Sequence, residues 1–153
     1  MGAPPTAPAT ALTVAIAGML AFAVVDLWRE EIEDWATIAL AVATVSALAY
    51  DGVSAAQWVA AALSAAVVFL AYLELGMRGV MGGGDVKLAA VPALTLGAVS
   101  PFLGVWAAAV AILLQQVLLR ASTWRARPPA GGALPHVPAM AAALIAAAIV
   151  FGA

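Results

Sequence analysis

A bundle of six membrane-spanning helices is the fold this sequence predicts, and three observations carry that reading. Of the 153 residues, 66% are hydrophobic and 9% charged, with a mean hydropathy of +1.09. A soluble domain of this length lacks the interior to hide that much apolar surface. The apolar residues come as runs of Leu, Ala and Val, without the period-2 alternation of a membrane β-barrel. Polar or Pro/Gly-rich clusters cut these runs into segments of helical length.

The first span covers residues 9–27. The ten residues from Met1 to Thr10 are rich in Pro and Ala and contain no Lys or Arg. A cleaved signal peptide needs a basic n-region, so this span is expected to be retained. Met1-Gly2-Ala3-Pro4-Pro5-Thr6 formally fits a myristoylation pattern, but an N-terminus outside the cell argues against its use. Residues 28–35 form a charged loop with Trp28 and Trp35 at its ends, as expected at a membrane interface. The second span, residues 36–50, turns at Asp51-Gly52, and the third covers residues 57–75. A glycine-rich turn over residues 76–84 leads to the fourth span, residues 85–99. Pro101 separates this from the fifth, residues 102–119, and one merged helix would run to about 35 residues or 52 Å. A loop over residues 120–138 precedes the sixth span, residues 139–151. The second and fourth spans have only about 15 residues, roughly 22 Å of helix. Such spans either draw their flanking groups toward lipid or sit inside the bundle.

Orientation follows from the basic residues. Arg29, Arg78, Lys87, Arg120, Arg125 and Arg127 all fall in the loops after spans one, three and five, or one turn from them. The positive-inside rule makes those loops cytoplasmic and puts both termini outside. Asp26 and Asp85 then lie at the same, cytoplasmic, face.

Several function classes are excluded. The chain has no Cys, so disulfides, thiolate catalysis and Cys-based zinc sites are out. His136 is the only histidine, too few for a His-based metal site, and no metal is expected. A formal charge of -2 with no basic tract gives no grounds for nucleic-acid binding. One membrane-embedded domain, residues 1–153, is expected.

The chemistry concentrates at Gly82-Gly83-Gly84-Asp85-Val86-Lys87. An ionisable group at the edge of a membrane span is costly to keep there, and function is its default reading. Asp26 closes the first apolar run in a similar position. Hydrolysis by aspartates needs two carboxylates sharing a proton: one ionised to draw a proton from water, one protonated to polarise the scissile carbonyl. Asp26 and Asp85 have the required type and depth. The glycines permit φ > 0 and a close backbone approach, so an extended substrate fits against the turn. Asp85 then begins a helix whose N-terminal dipole favours the carboxylate. Lys87 either neutralises charge near the pair or snorkels to lipid phosphate. The structural alternatives are an Asp85 that only caps a helix and an Asp26 that only snorkels from a span end.

These residues resemble the type IV prepilin peptidase family, which includes archaeal preflagellin peptidases. The family places one catalytic Asp in a pattern like Asp-x-x-x-x-x-Ile-Pro-Asn. Asp26 and Ile32 match it, with Glu33-Asp34 in place of Pro-Asn. The second motif, Gly-x-Gly-Asp-x-Lys, matches Gly82, Gly84, Asp85 and Lys87 in full. Leu134-Pro135-His136-Val137-Pro138 is similar to a closing Ile-Pro-Phe-x-Pro segment, with His136 for Phe. The resemblance implies an intramembrane aspartyl endopeptidase with Asp26 and Asp85 catalytic, Gly82, Gly84 and Lys87 supporting them, and no cofactor. It implies a place in the cytoplasmic membrane, with the active site near the cytoplasmic face. Its substrates would be pilin-like or archaellin-like precursors, cut after a short basic leader that precedes a hydrophobic helix. Larger bacterial members carry a cysteine-containing extension with a methylation activity; this chain resembles the minimal, peptidase-only form.

Glu30, Glu31, Glu33 and Asp34 form an acidic cluster that suits a basic leader electrostatically. Glu74 is a weaker candidate for the same role, and the alternative is an ordinary solvated loop. His136 reads as a loop or interface residue, and Gln115 and Gln116 as makers of interhelical hydrogen bonds. The rival class is a small transporter or channel component that uses Asp26 and Asp85 as ion or proton sites. A scaffolding pseudo-enzyme is a third reading.

Overall fold

The computed structural model describes residues 7–29, 33–124 and 136–151. Among these residues the chain forms six helices and no strand. They are α1 (Ala9–Arg29), α2 (Asp34–Tyr50), α3 (Ala55–Met77), α4 (Gly83–Val99), α5 (Pro101–Trp124) and α6 (Val137–Phe151). They correspond one for one to the predicted spans. Pro101 opens α5, where its missing N–H costs nothing. The loop at residues 30–32 and most of the loop between α5 and α6 lie outside the described residues, as do Glu30, Glu31, Arg125 and Arg127.

The helices are of two kinds. Stretches of α1, α3 and α5 are long and apolar enough to cross a bilayer, over Ala9–Trp28, Ala55–Met77 and Pro101–Ala121. α2, α4 and α6 have 17, 17 and 15 residues and are shorter than a typical span. For α4 the reason is its position. It packs against all five other helices, most extensively against α3, and ten of its 17 residues are buried. A helix surrounded by protein has no need of a full bilayer-length apolar surface. Large apolar side chains on α1, α2, α3 and α5 face outward instead, among them Val24, Ile38, Leu63 and Leu113. Such outward faces suit lipid. Trp28 and Trp35 are 84% and 68% exposed at one end of the bundle, as interface anchors would be.

In lipid, apolar burial does not pull helices together, so close packing must. Small residues provide it around α4. A Cβ added at Gly97 would lie 2.9 Å from Ala61 Cα, and one at Gly104 would lie 2.7 Å from the Ala93 carbonyl oxygen. Glycine there lets the backbones of α3, α4 and α5 approach closely.

Helix ends are closed locally. α2 and α3 both finish in Schellman motifs. At α2, Val53 N–H donates to Leu48 O and Gly52 N–H to Ala49 O; at α3, Val80 N–H donates to Leu75 O and Gly79 N–H to Gly76 O. Gly52 and Gly79 carry the positive φ these caps require, +67° and +70°. This corrects the expectation for the glycine turn. The left-handed residue is Gly79, whereas Gly82, the N-cap of α4, has φ -71°.

Candidate active site

Inward-facing positions on α1 recur as Leu12, Ala15, Met19 and Ala23, at spacings of three and four that keep one helical face. Asp26 is the next residue on that stripe and is 8% exposed. The periodicity that packs α1 therefore points this carboxylate into the bundle, where a snorkelling span-end charge would turn out to water. Its Oδ2 accepts a hydrogen bond of 3.2 Å from the backbone N–H of Val137, the first residue of α6. That N–H belongs to a helix N-terminus, which has free donors and a favourable dipole for an anion.

Asp85 occupies the third position of α4, which begins at Gly83, two residues earlier than expected. Its carboxylate accepts a hydrogen bond from the Gly82 backbone N–H and lies within the field of Asp26. Gly82 is the N-cap and has no side chain to cap the helix, so Asp85 supplies that closure by reaching back. The capping role and the approach to Asp26 coexist in one side chain. The two predicted aspartates, 59 positions apart in sequence, come from the end of α1 and the start of α4 to one end of the bundle.

The supporting residues divide. A Cβ at Gly82 would meet Asp85 Oδ2 at 3.6 Å, an ordinary contact, and one at Gly83 would meet nothing within 4 Å among the described residues. Packing alone does not demand glycine at either position. Lys87 does not reach the aspartate pair through an ion pair of its own. Its Nζ donates to Asp34 Oδ1 at 2.6 Å, joining the starts of α4 and α2. Trp35 Nε1 donates to Glu33 Oε2. Both described acids of the acidic cluster thus have partners within the protein, while Glu30 and Glu31 lie outside the described residues. Glu74 is paired with Arg78 at 2.7 Å, one turn along α3. Beside the glycine turn an open apolar groove runs between α3 and α4, lined by Phe69, Leu73, Met77, Met81 and Val86. Gln115 is buried and Gln116 is exposed, so of the two only Gln115 faces the bundle.

His136 departs most from its sequence reading. It is 1% exposed, not a surface loop residue. Its Nε2 lies 2.9 Å from the Tyr72 hydroxyl, with the rings tilted and 5.5 Å apart. Tyr72 is itself 1% exposed and lies within the field of Asp85. Sequence reading missed Tyr72, although it continues the inward stripe of α3 through Ala61, Ser64 and Val68. One end of the bundle therefore gathers Asp26, Tyr72, Asp85 and His136 from four segments of the chain.

Among the described residues no cluster of three or more His, Asp or Glu side chains could hold a metal ion. Comparison with curated proteins and with solved structures finds no match. Comparison with family models finds the type IV leader peptidase family over residues 13–122, most of the chain and both aspartate motifs. Helical over its described residues, with three helices long and apolar enough to cross a bilayer, the chain is an integral membrane protein and belongs to the type IV leader peptidase family.

Proposed function

We propose that this protein is an aspartyl endopeptidase of the cytoplasmic membrane that removes short basic leaders from pilin-like or archaellin-like precursors, with Asp26 and Asp85 as its catalytic pair. Membership of a leader peptidase family supplies the reaction class. The observation that carries the residue assignment is the convergence of the two carboxylates, each in the other's reach electrostatically and one of them buried.

Two carboxylates that act on one peptide bond share a proton, because ionising both is costly in a poorly solvated site. The ionised member takes a proton from water as the water oxygen attacks the scissile carbonyl carbon. The protonated member donates to the carbonyl oxygen, giving a neutral tetrahedral diol. A proton then passes to the peptide nitrogen, the C–N bond breaks, and a carboxyl group and an amine leave. The pair ends as it began, with one proton between them, and no cofactor enters the balance. Val137 N–H donates to Asp26 and Gly82 N–H to Asp85, so each carboxylate is held by a backbone donor at a helix start.

The surroundings support this substrate. Space beside Gly83 leaves room for an extended backbone, and the apolar groove between α3 and α4 suits the hydrophobic segment that follows the cut. We read all six helices as membrane-embedded with both termini outside, which puts the aspartate pair at the cytoplasmic face by the positive-inside rule. The transport reading rests on the two carboxylates alone, whereas cleavage also has the family.

The test is cleavage of a precursor carrying a basic leader by the purified protein in detergent. Wild type should release the leader, and Asp26→Asn and Asp85→Asn should not. Cleavage by either variant at the wild-type rate refutes the catalytic pair. Cysteine labelling on this natively cysteine-free chain tests the topology. Labelling of positions 31 and 79 from opposite sides of the membrane would separate the two motifs and refute a shared site.

A further inference from the structure

We propose that Tyr72 and His136 are positioning residues for Asp26: Tyr72 fixes the His136 ring, His136 fixes the start of α6, and the first N–H of α6 holds the Asp26 carboxylate. The inference rests on the catalytic reading of Asp26 given above for its consequences in kinetics, and on geometry for its structural part.

Each step is a contact. The Tyr72 hydroxyl and His136 Nε2 are 2.9 Å apart, and both side chains are 1% exposed. His136 immediately precedes Val137, and its carbonyl oxygen accepts from the N–H groups of Ala139 and Met140 at 3.0 and 3.2 Å, closing the first turn of α6. Val137 N–H donates to Asp26 Oδ2 at 3.2 Å. The path runs from α3 through the first turn of α6 to α1, and it joins elements distant in sequence by 64 and 111 residues.

The chemistry of the pair argues that its polarity is used. A buried imidazole bonded only through Nε2 leaves Nδ1 without a partner among the described residues. An unpaired buried nitrogen is unfavourable, and a phenyl ring of similar size would fill the same space without it. What a phenyl ring could not do is bond to Tyr72. That bond restricts rotation of the ring about its side-chain torsions and so fixes where the His136 backbone, and with it Val137 N–H, can sit. Tyr72 also lies in the field of Asp85, so the pair borders both aspartates rather than packing in a remote part of the core. The family model matches residues 13–122, and the closing segment that residues 134–138 resemble carries Phe where this chain has His136, so the bond to Tyr72 depends on a residue in which this chain departs from that pattern.

Tyr72→Phe is the decisive variant, because it removes one oxygen and keeps the ring. It should lower kcat on a basic-leader precursor by about tenfold with KM within about twofold, since a displaced Asp26 harms the chemical step and not leader binding. His136→Phe should do the same, and the double variant should be no worse than either single, because both break one bond. His136→Gln, whose side-chain amide can reach the Nε2 position, should recover most of the loss. A second readout is independent of cleavage. The Val137 amide signal in an isotope-labelled sample should move when Asp26→Asn alters its acceptor, and Tyr72→Phe should move it in the same direction. A Val137 amide that responds to Asp26→Asn but not to Tyr72→Phe overturns the inference, as does a wild-type kcat in Tyr72→Phe. Absence of cleavage by wild type would instead refute the proposed function, and the amide measurement would still decide this one.

Discussion

The two ends of the bundle use polar groups in opposite ways. At the end formed by the start of α1, the turn after α2, the start of α3 and the end of α4, the polar contacts described are caps or their equivalents. Asp51 accepts from the N–H groups of Thr10 and Ala11 at 3.3 and 2.9 Å, so it caps α1 from the end of α2. Ser54 and Gln57 form a capping box at the start of α3, and Gln57 Nε2 donates to Ala98 O near the end of α4. These groups are wholly or partly exposed and consume donors and acceptors that helix ends leave free. At the other end, Asp26, Tyr72 and His136 are buried and bond across helices. Among the described residues, ionisable groups are drawn inward at this end and not at the solvated end that manages with caps, which marks where the fold accepts a cost that stability does not require.

The largest effect expected from breaking this contrast is at the aspartates. Asp26→Asn and Asp85→Asn should each lower kcat by on the order of 100- to 10,000-fold. The double variant should be no worse than a single one, since the pair acts as a unit. Neither should lower thermal stability, because an amide of the same shape relieves the crowding of two carboxylates. A coincident loss of fold and activity would make them structural groups like those of the opposite end.

Gly97 marks the packing of α4 on α3 toward the capped end. Gly97→Ala would bring a methyl to 2.9 Å from Ala61 Cα, a backbone atom that cannot swing away. The cost expected for such overpacking is about 1–3 kcal/mol, read as a fall in unfolding midpoint in detergent. Gly83→Ala, with open space around its Cβ among the described residues, should leave that midpoint unchanged. Equal midpoints for the two variants would show that α3 and α4 are not held at this distance.

Most of the fold was legible because apolar runs and their breaks report directly on helices in lipid. The central position of α4 was legible only as an alternative, through its short span. The aspartates were legible from motif and depth. Asp26 was readable a second way, through the spacing of Leu12, Ala15, Met19 and Ala23. Tyr72 and His136 were not, because a lone tyrosine in a span and a lone histidine in a Pro-rich segment acquire meaning only when α3 and α6 meet. The glycine turn was misread in detail: positive φ is needed where a helix ends, at Gly79, and Gly82 starts the next helix in ordinary extended geometry.

A smaller effect belongs to the capped end. Asp51→Ala should cost about 0.5–1 kcal/mol, the usual loss for a cap that remains partly in water, and should leave kcat unchanged. Slight burial raises the Asp51 pKa, but the Thr10 hydroxyl and the N–H groups of Ala11 and Thr10 outweigh it and hold the carboxyl below its ordinary value. A folded-state pKa below the unfolded one stabilises fully above the unfolded value, near pH ~4, and the contribution disappears as pH falls through the folded value. The difference in stability between wild type and Asp51→Ala should therefore be constant at neutral pH and shrink on acidification below about pH 4. A difference that grows on acidification has the wrong sign for this cap.

The smallest effect expected is at the acidic cluster, where the site end meets water. If the cluster attracts a basic leader, its charges act as a field on substrate and transition state alike, so neutralising them should raise KM and leave kcat nearly unchanged. The contacts of Glu33 with Trp35 and of Asp34 with Lys87 divide the test. Glu33→Gln with Asp34→Asn removes charge and also weakens two internal bonds. An exposed ion pair such as Lys87–Asp34 contributes at most about 1 kcal/mol, so the fold should survive. Glu30→Gln with Glu31→Gln removes the same charge elsewhere in the loop. Attraction through a field predicts a similar rise in KM, of a few-fold, for both double variants. It also predicts that the wild-type preference for a basic leader weakens as salt passes about 0.15 M, where the Debye length is about 8 Å. Kinetics should be measured in neutral detergent, because anionic lipid draws a basic leader without help from the protein. A rise in KM confined to the Glu33 and Asp34 variant, insensitive to salt, would mean that these residues act by holding α2 to α4, and that the cluster is scaffolding for the site.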